Sequence, residues 1–445
     1  MSPQLNNKTA ATDEGLKREL GAIDIAASVI NITIGSGIFL LPALVAAILG
    51  PASVLAYLIC GVLYFCIILC FAEMSSRIKD TGGSYVYIEK AFGPFAGFIA
   101  NNLLWLSGVL ICAALVNGIA DLLSVSFPVF DQQLYRILLF ILLIGYCCYS
   151  NITGIKQSMR TAKILTILKL LPLVLIVIVG LFQLNFNNLK WHGVPGTNEL
   201  GGACLLLFAA FIGGESAAIL GGEMKNPKKT GPLGLLAGVA GVIIFYILIQ
   251  LVAQSTLGNK LAAEKAPLAT VAGIELGGWG MKLLLIGGLV SIFGTLFSCI
   301  MAFSRVMFAG AFNNLLPKFL EKVHPKYATP HRAIICISLF AIILACTGGY
   351  RYLIVVATIS MMLSYVGVAF ALIKFKLQKE KVTDANQGFR LPGGIAIPVL
   401  ALIALGWFLW HSKKEEIVGL GIFIAVLIIV YVIKLLFVPK PSNQV

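Results

Sequence analysis

Charge is scarce in this chain. Asp, Glu, Lys and Arg make up 12% of its 445 residues, about half of the roughly 25% usual in soluble domains. The 59% that are hydrophobic fall in long runs instead of amphipathic stripes, which excludes a soluble globular enzyme. Paired cysteines are missing too. None of the ten belongs to a C-x-x-C pair and all lie in apolar runs, so they read as small hydrophobes and not as zinc or redox ligands. The four histidines, His192, His324, His331 and His411, stand near or outside the ends of those runs and make no metal set. H-E-x-x-H, G-x-S-x-G and phosphate-binding glycine loops are all absent from the sequence, so it predicts neither an enzyme nor a cofactor. The 17 prolines and 45 glycines follow no strict period, which removes collagen-like and low-complexity chains.

What the chain does have is apolar length. A helix needs about 20 apolar residues to cross the hydrocarbon core. Runs of that kind lie at 22–48, 53–74, 94–123, 134–153, 164–184, 202–222, 232–256, 281–310, 333–349, 352–373, 395–411 and 417–438. They predict an all-α membrane protein with twelve transmembrane helices. The opening segment is polar, contains acidic residues and leads into a run too long for a signal-peptide core, so no cleavage is expected. Cytoplasmic loops retain Lys and Arg. Of these residues 24 fall on the N-terminal side of the spans and 8 on the other, which predicts cytoplasmic termini at both ends. The net charge of +14 is spread over short loops. It reads as topology and contact with anionic lipid, with no nucleic-acid partner.

Two spans carry breaks. The first holds Gly35-Ser36-Gly37, with Pro42 five residues on; at 1.5 Å per residue from Asp24, Gly35 lies roughly 17 Å into the bilayer. The sixth repeats the pattern with Phe211-Ile212-Gly213-Gly214-Glu215-Ser216, followed by Gly221 and Gly222. Close helix packing explains isolated small residues. Two mid-depth breaks, each in the first span of a five-helix block, are what an inverted-repeat transporter needs, because unpaired backbone at that depth is tolerated only against protein or a water-filled cavity. Half-helix N-termini suit a carboxylate and freed carbonyls suit an ammonium.

Two charges fall inside spans. Glu215 lies about 12 Å from the Glu223 end of its span, where a bare carboxylate costs several kcal/mol unless it is protonated, paired or hydrated. It is therefore a group able to titrate during turnover. Lys169 lies about 9 Å inside span 5, within snorkelling reach of the interface. Asp24 and Glu73, at span ends, read as helix caps or loop-cation ligands, and Trp105, Trp407 and Trp410 as packing or interface residues.

TIGSGIFLLP (33–42), GGSYVYIEKAFGPFAGF (82–98), FIGGESAAILGGEMKNPKK (211–229) and SRVMFAGAFNNLLP (304–317) resemble the amino acid/polyamine/organocation transporter superfamily over nearly the whole chain. The Gly-x-Glu-Ser of span 6 and the Gly-Pro-Phe-x-Gly opening of span 3 most resemble its basic amino acid/polyamine antiporter branch. The resemblance implies a leucine-transporter-type 5+5 inverted repeat. Its first block would be 22–185, its second 202–376, with two peripheral helices in 394–438 and cytoplasmic tails at 1–21 and 439–445. It also implies alternating-access transport of an amino acid or related amine across the plasma membrane, the inner membrane if bacterial, by antiport or proton coupling, as a monomer or homodimer. A polyamine or cationic amino acid exchanger and a non-transporting amino acid sensor remain open.

Carried onto these residues, the resemblance implies Ser36 and the Gly37 amide for the carboxylate, and the carbonyls of Thr33, Ala209 and Ile212 for the ammonium. Ser107, Gly108 and Thr358 would line the side-chain pocket. Glu215 would couple protons to gating. Lys169 would fill the place of a sodium ion, with Ser291 and Thr295 as partners, so sodium is not expected. The aromatic gate expected in span 6 is Ala209 with Phe208 beside it. The span 8 tryptophan that would stack on a guanidinium is Cys299, and losing a cation–π partner worth about 0.5–2 kcal/mol favours a neutral or smaller substrate over arginine.

Overall fold

A long apolar run becomes a helix in lipid because every main-chain group must be paired within its own segment. The computed structural model follows that rule. It describes residues 21–35, 37–78, 83–153, 155–191, 193–215, 227–327, 329–378, 388–391 and 393–437, and these form fifteen α-helices and no strand. Both expected tails lie almost wholly outside them. In chain order the helices are α1 (Ala22–Thr33), α2 (Gly37–Leu49), α3 (Ser53–Arg77), α4 (Ser84–Phe92), α5 (Pro94–Ser124), α6 (Gln133–Thr153), α7 (Ile155–Phe182), α8 (Thr197–Phe211), α9 (Pro227–Leu257), α10 (Pro267–Leu276), α11 (Gly278–Phe312), α12 (His331–Ala345), α13 (Tyr350–Leu377), α14 (Ala396–Trp410) and α15 (Lys414–Phe437).

Among the described residues six helical stretches are long and apolar enough to cross a membrane, Pro94–Ser124 and Gly278–Phe312 among them, and shorter apolar helices accompany them. The first run divides into α1 and α2, as its glycines predict. The short α4 and α10 lie between spanning runs. Large apolar side chains stay exposed on one side of α6 (Leu134, Leu138, Leu142) and of α15 (Ile422, Val426, Ile429), as a lipid-facing surface requires.

α5 is the most enclosed of the long apolar helices. It opens with Pro94 in its first turn, after Gly93 at φ 90°, a left-handed conformation that glycine adopts without steric penalty. α11 and α13 flank it. α1 lies against α9, where Gly234 and Gly238, one turn apart, face Ile25 and Val29 so closely that a methyl group at position 238 would come within 2.6 Å of the Val29 Cβ. At the start of α1 the Gly21 N–H donates to Asp24 Oδ2 at 2.8 Å, the cap expected of Asp24.

Glu73 departs from the sequence expectation. It is neither a solvated cap nor a loop-cation ligand, because its carboxylate is fully buried. It accepts from Arg77 Nη2 at 2.5 Å, Lys376 Nζ at 2.9 Å and the Leu391 N–H at 3.1 Å. Ser76 Oγ donates to the Phe389 carbonyl at 3.1 Å. The end of α3 thus holds both α13 and the segment 388–391. All ten cysteines are free; six are buried, Cys66, Cys148 and Cys336 are half-buried, and Cys346, just past α12, is exposed.

Candidate functional site

A helix that stops in mid-membrane leaves its last carbonyls without partners. α1 stops at Thr33, and Ile34 (φ −73°, ψ 89°) turns the chain out of the helix. α8 stops at Phe211; Ile212 (ψ 136°) leaves it and Gly213 follows at φ 114°. Both runs therefore break where their glycines predict, and the two ends meet. A Cβ at Gly37 would lie 2.9 Å from that of Ala210, and one at Gly213 would lie 2.9 Å from Ile32 Cγ2. Only a residue without a side chain lets the main chains approach this closely. Ser36, Ser216, Gly221 and Gly222 lie outside the described residues.

The freed carbonyls are not left bare. From α9, the Tyr246 hydroxyl stands 2.9 Å from the Thr33 carbonyl oxygen and 2.9 Å from that of Ala210, joining the ends of α1 and α8. A phenol carries one proton, so it donates to one of the two at a time. From α7, the Lys169 ammonium donates to the Asn31 carbonyl at 2.5 Å and the Ile34 carbonyl at 2.8 Å. Lys169 is 2% exposed, so its head is turned to α1 and does not snorkel.

The partners expected for Lys169 on α11 make no hydrogen bond to it. The Thr295 hydroxyl donates to the Ser291 carbonyl at 3.0 Å, and Ser291 Oγ is buried without a hydrogen bond. Thr295 packs against the break itself, where a Cβ at Gly35 would lie 3.2 Å from it.

Glu215 closes a short turn after the second break. Its Oε2 accepts from the Tyr64 hydroxyl at 3.1 Å and from the Gly213 N–H at 3.0 Å, while Oε1 is buried and unpaired. Thr33 Oγ1 is also buried and unpaired. Gly214 lies between, where a Cβ would be 3.1 Å from the Tyr64 hydroxyl and 3.5 Å from Thr33 Oγ1. Buried polar atoms without partners are rare, and this junction of α1, α3 and α8 holds two.

Phe208 is fully buried among Tyr64 (5.5 Å between ring centroids), Phe408 (5.2 Å) and Tyr365 (6.0 Å). Ala209 beside it is half-buried and Ile212 is buried. The pocket candidates turn their hydroxyls inward: Ser107 Oγ donates to the Leu104 carbonyl at 2.7 Å, and Thr358 Oγ1 to the Ile354 carbonyl at 2.6 Å. Ser107 also faces Met361, with Oγ 3.8 Å from its sulfur.

Tyr64 and Tyr246 are the two residues that sequence reasoning passed over. Their signal is a hydroxyl inside an apolar run, a group that must find a partner in the bilayer.

The chain is similar over nearly its whole length to known proteins. A family model described as amino acid permease matches residues 20–445. The serine/threonine exchanger SteT of Bacillus subtilis (strain 168) is 29% identical over 432 residues, covering 93% of this chain and 95% of that protein. The branched-chain amino acid permease BcaP of the same organism is 25% identical over 442 residues, with 94% and 93% covered. An arginine/ornithine antiporter of Latilactobacillus sakei is 27% identical over 383 residues, with 82% and 80% covered. These relatives are transporters, not enzymes.

Proposed function

The chain belongs to the amino acid permease family, and on that premise we propose that it is a twelve-span secondary transporter carrying an amino acid or related amine by alternating access. The observation that carries this reading is the meeting of two interrupted helices, with Gly37 against Ala210 and the Tyr246 hydroxyl on the carbonyls of Thr33 and Ala210. The start of α2, at Gly37, offers N–H groups and a positive dipole end to a carboxylate, with Ser36, outside the described residues, as its expected companion. The carbonyls of Thr33, Ala209 and Ile212 offer acceptors to an ammonium. Blocks 22–185 and 202–376 form the two repeats, and rocking of one helical group against the other exposes the substrate to each side in turn. Both termini are cytoplasmic.

Lys169 supplies the fixed cation at the α1 break, and transport needs no sodium. Glu215, with one buried oxygen unpaired, takes up and releases a proton as the end of α8 moves. Differential protonation of the two states is what couples the proton to transport. Antiport and proton symport share this geometry.

Counterflow of radiolabelled amino acids and polyamines into proteoliposomes, scanned over pH with and without sodium, tests the proposal. Saturable, sodium-independent exchange that responds to pH is the expected result. Binding without exchange would identify a sensor, and an ohmic current a channel.

A further inference from the structure

From Asn313 to Arg332, where α11 gives way to α12, the chain carries four basic residues, Lys318, Lys322, Lys326 and Arg332, against one acidic residue, Glu321. This connection is tied into the fold at both ends. Asn313 Nδ2 donates to the Tyr85 hydroxyl of α4 at 3.0 Å, and the Thr329 hydroxyl donates to the Ile152 carbonyl of α6 at 2.8 Å. The His324 N–H donates to the Thr329 carbonyl at 2.8 Å. Between them a single helical turn, Lys318–Glu321, lies against α11 and α12. The turn has an inner and an outer side: Leu320 is 4% exposed, whereas Phe319 beside it is 51% and Val323 47% exposed. Lys318, Lys322 and Lys326 are exposed around these two apolar side chains.

Two neighbours place this surface at the edge of the bilayer. Tyr149 of α6, three residues before the Ile152 that Thr329 grips, is exposed, and exposed tyrosines favour the membrane–water boundary. α12 begins at His331 and from its second turn exposes Ile335, Leu339 and Ile343 along one face, as contact with lipid requires. The apolar band therefore starts where the basic connection ends. A surface that sets outward apolar side chains among lysines suits the headgroup and acyl boundary, and the positive charge suits anionic headgroups.

We propose that the connection between α11 and α12 is a docking surface for anionic phospholipid, in which Phe319 and Val323 enter the acyl boundary and Lys318, Lys322 and Lys326 hold the phosphate groups around them. The occupant is a lipid and not a soluble protein, because the surface continues into the lipid-facing side of α12. The same contact reaches α6 through Thr329, so bound lipid braces α6, α11 and α12 together at this end of the membrane. The proposal stands apart from the choice of cargo and from the transport mechanism.

The test titrates phosphatidylglycerol or phosphatidylcholine into the full chain in a neutral detergent and counts bound lipid by native mass spectrometry. The wild-type protein is expected to retain phosphatidylglycerol in preference. Replacing Lys318, Lys322 and Lys326 together by Gln should weaken that retention about tenfold or more, and Phe319→Ser with Val323→Ser should weaken it comparably with every charge kept. Single variants Lys318→Gln and Lys322→Gln give the same reading on a smaller scale if the triple variant does not fold. Lys190→Gln, Lys260→Gln and Lys265→Gln together remove equal charge from exposed sites on the other side of the spans and should leave retention unchanged. An equal loss in this control would reduce the effect to net charge and overturn the proposal. Competition by glycerol phosphate as strong as by the intact lipid would overturn it too, since the apolar half would then contribute nothing. Wild-type protein that does not distinguish the two lipids would also overturn it and leave the surface to a soluble partner. No step of this test involves transport, so its failure leaves the transport reading untouched.

Discussion

The Tyr246 hydroxyl lies 2.9 Å from the Thr33 carbonyl oxygen, the last carbonyl of α1, while belonging to α9. The same oxygen is 2.9 Å from the Ala210 carbonyl, so one side chain spans both interruptions. Its ring is held by Tyr57 at 6.5 Å and Phe211 at 5.3 Å between centroids. Tyr246→Phe keeps that packing and removes only the hydroxyl. Losing the partner of a buried carbonyl costs about 1–3 kcal/mol, so uptake should fall by about tenfold or more while the melting temperature shifts little. Unchanged uptake would show that the bridge has no part in transport.

Lys169→Ala strips the Asn31 and Ile34 carbonyls of their donor and should abolish most uptake while leaving a monodisperse protein in size-exclusion chromatography. Lys169→Arg keeps the charge but not the compact head, and a planar fork fits two convergent carbonyls poorly. It should be impaired as well. Full turnover by either variant would argue against a role for this contact at the α1 break.

Glu215→Gln keeps the shape of the side chain and its contact with Tyr64 but carries no titratable proton. Uptake by this variant should lose its dependence on pH. A pH profile superimposable on that of the wild-type protein would assign the coupling proton to another group.

Glu73→Gln breaks the pairing with Arg77 and Lys376 and leaves both cations uncompensated. Removing one partner of a buried pair costs about 3–5 kcal/mol, so the melting temperature in detergent should drop clearly. Pairing the change with Lys376→Met should recover part of the loss. Equal melting points for the single variant and the wild-type protein would mean that the carboxylate is solvated in the membrane-embedded protein.

The breaks after Thr33 and Phe211 were legible because glycine announces itself in an apolar run, and so were the helices they interrupt. The short α4 and α10 were not, since neither is long enough to register as a span. The partners of Lys169 were hidden for a different reason. They are main-chain oxygens 138 and 135 residues away in sequence, and a backbone carbonyl has no residue type by which to find it. Glu73 looked like a helix-end residue because its counter-charge, Lys376, lies on α13, and nothing in the local pattern joins the two. Tyr64 and Tyr246 counted as apolar when runs were tallied, although each carries the one polar atom that matters at its position. Packing decides these cases, and packing is non-local.

The ammonium that braces α1 is covalently tied to α7 through its own hydrocarbon stem. A dissolved cation doing the same work would be exchanged with one compartment or the other in each cycle, and its occupancy would follow the salt outside. A tethered one has constant stoichiometry and dissipates no gradient. On the proposed transport reading, any force that drives the cargo therefore enters elsewhere in the protein.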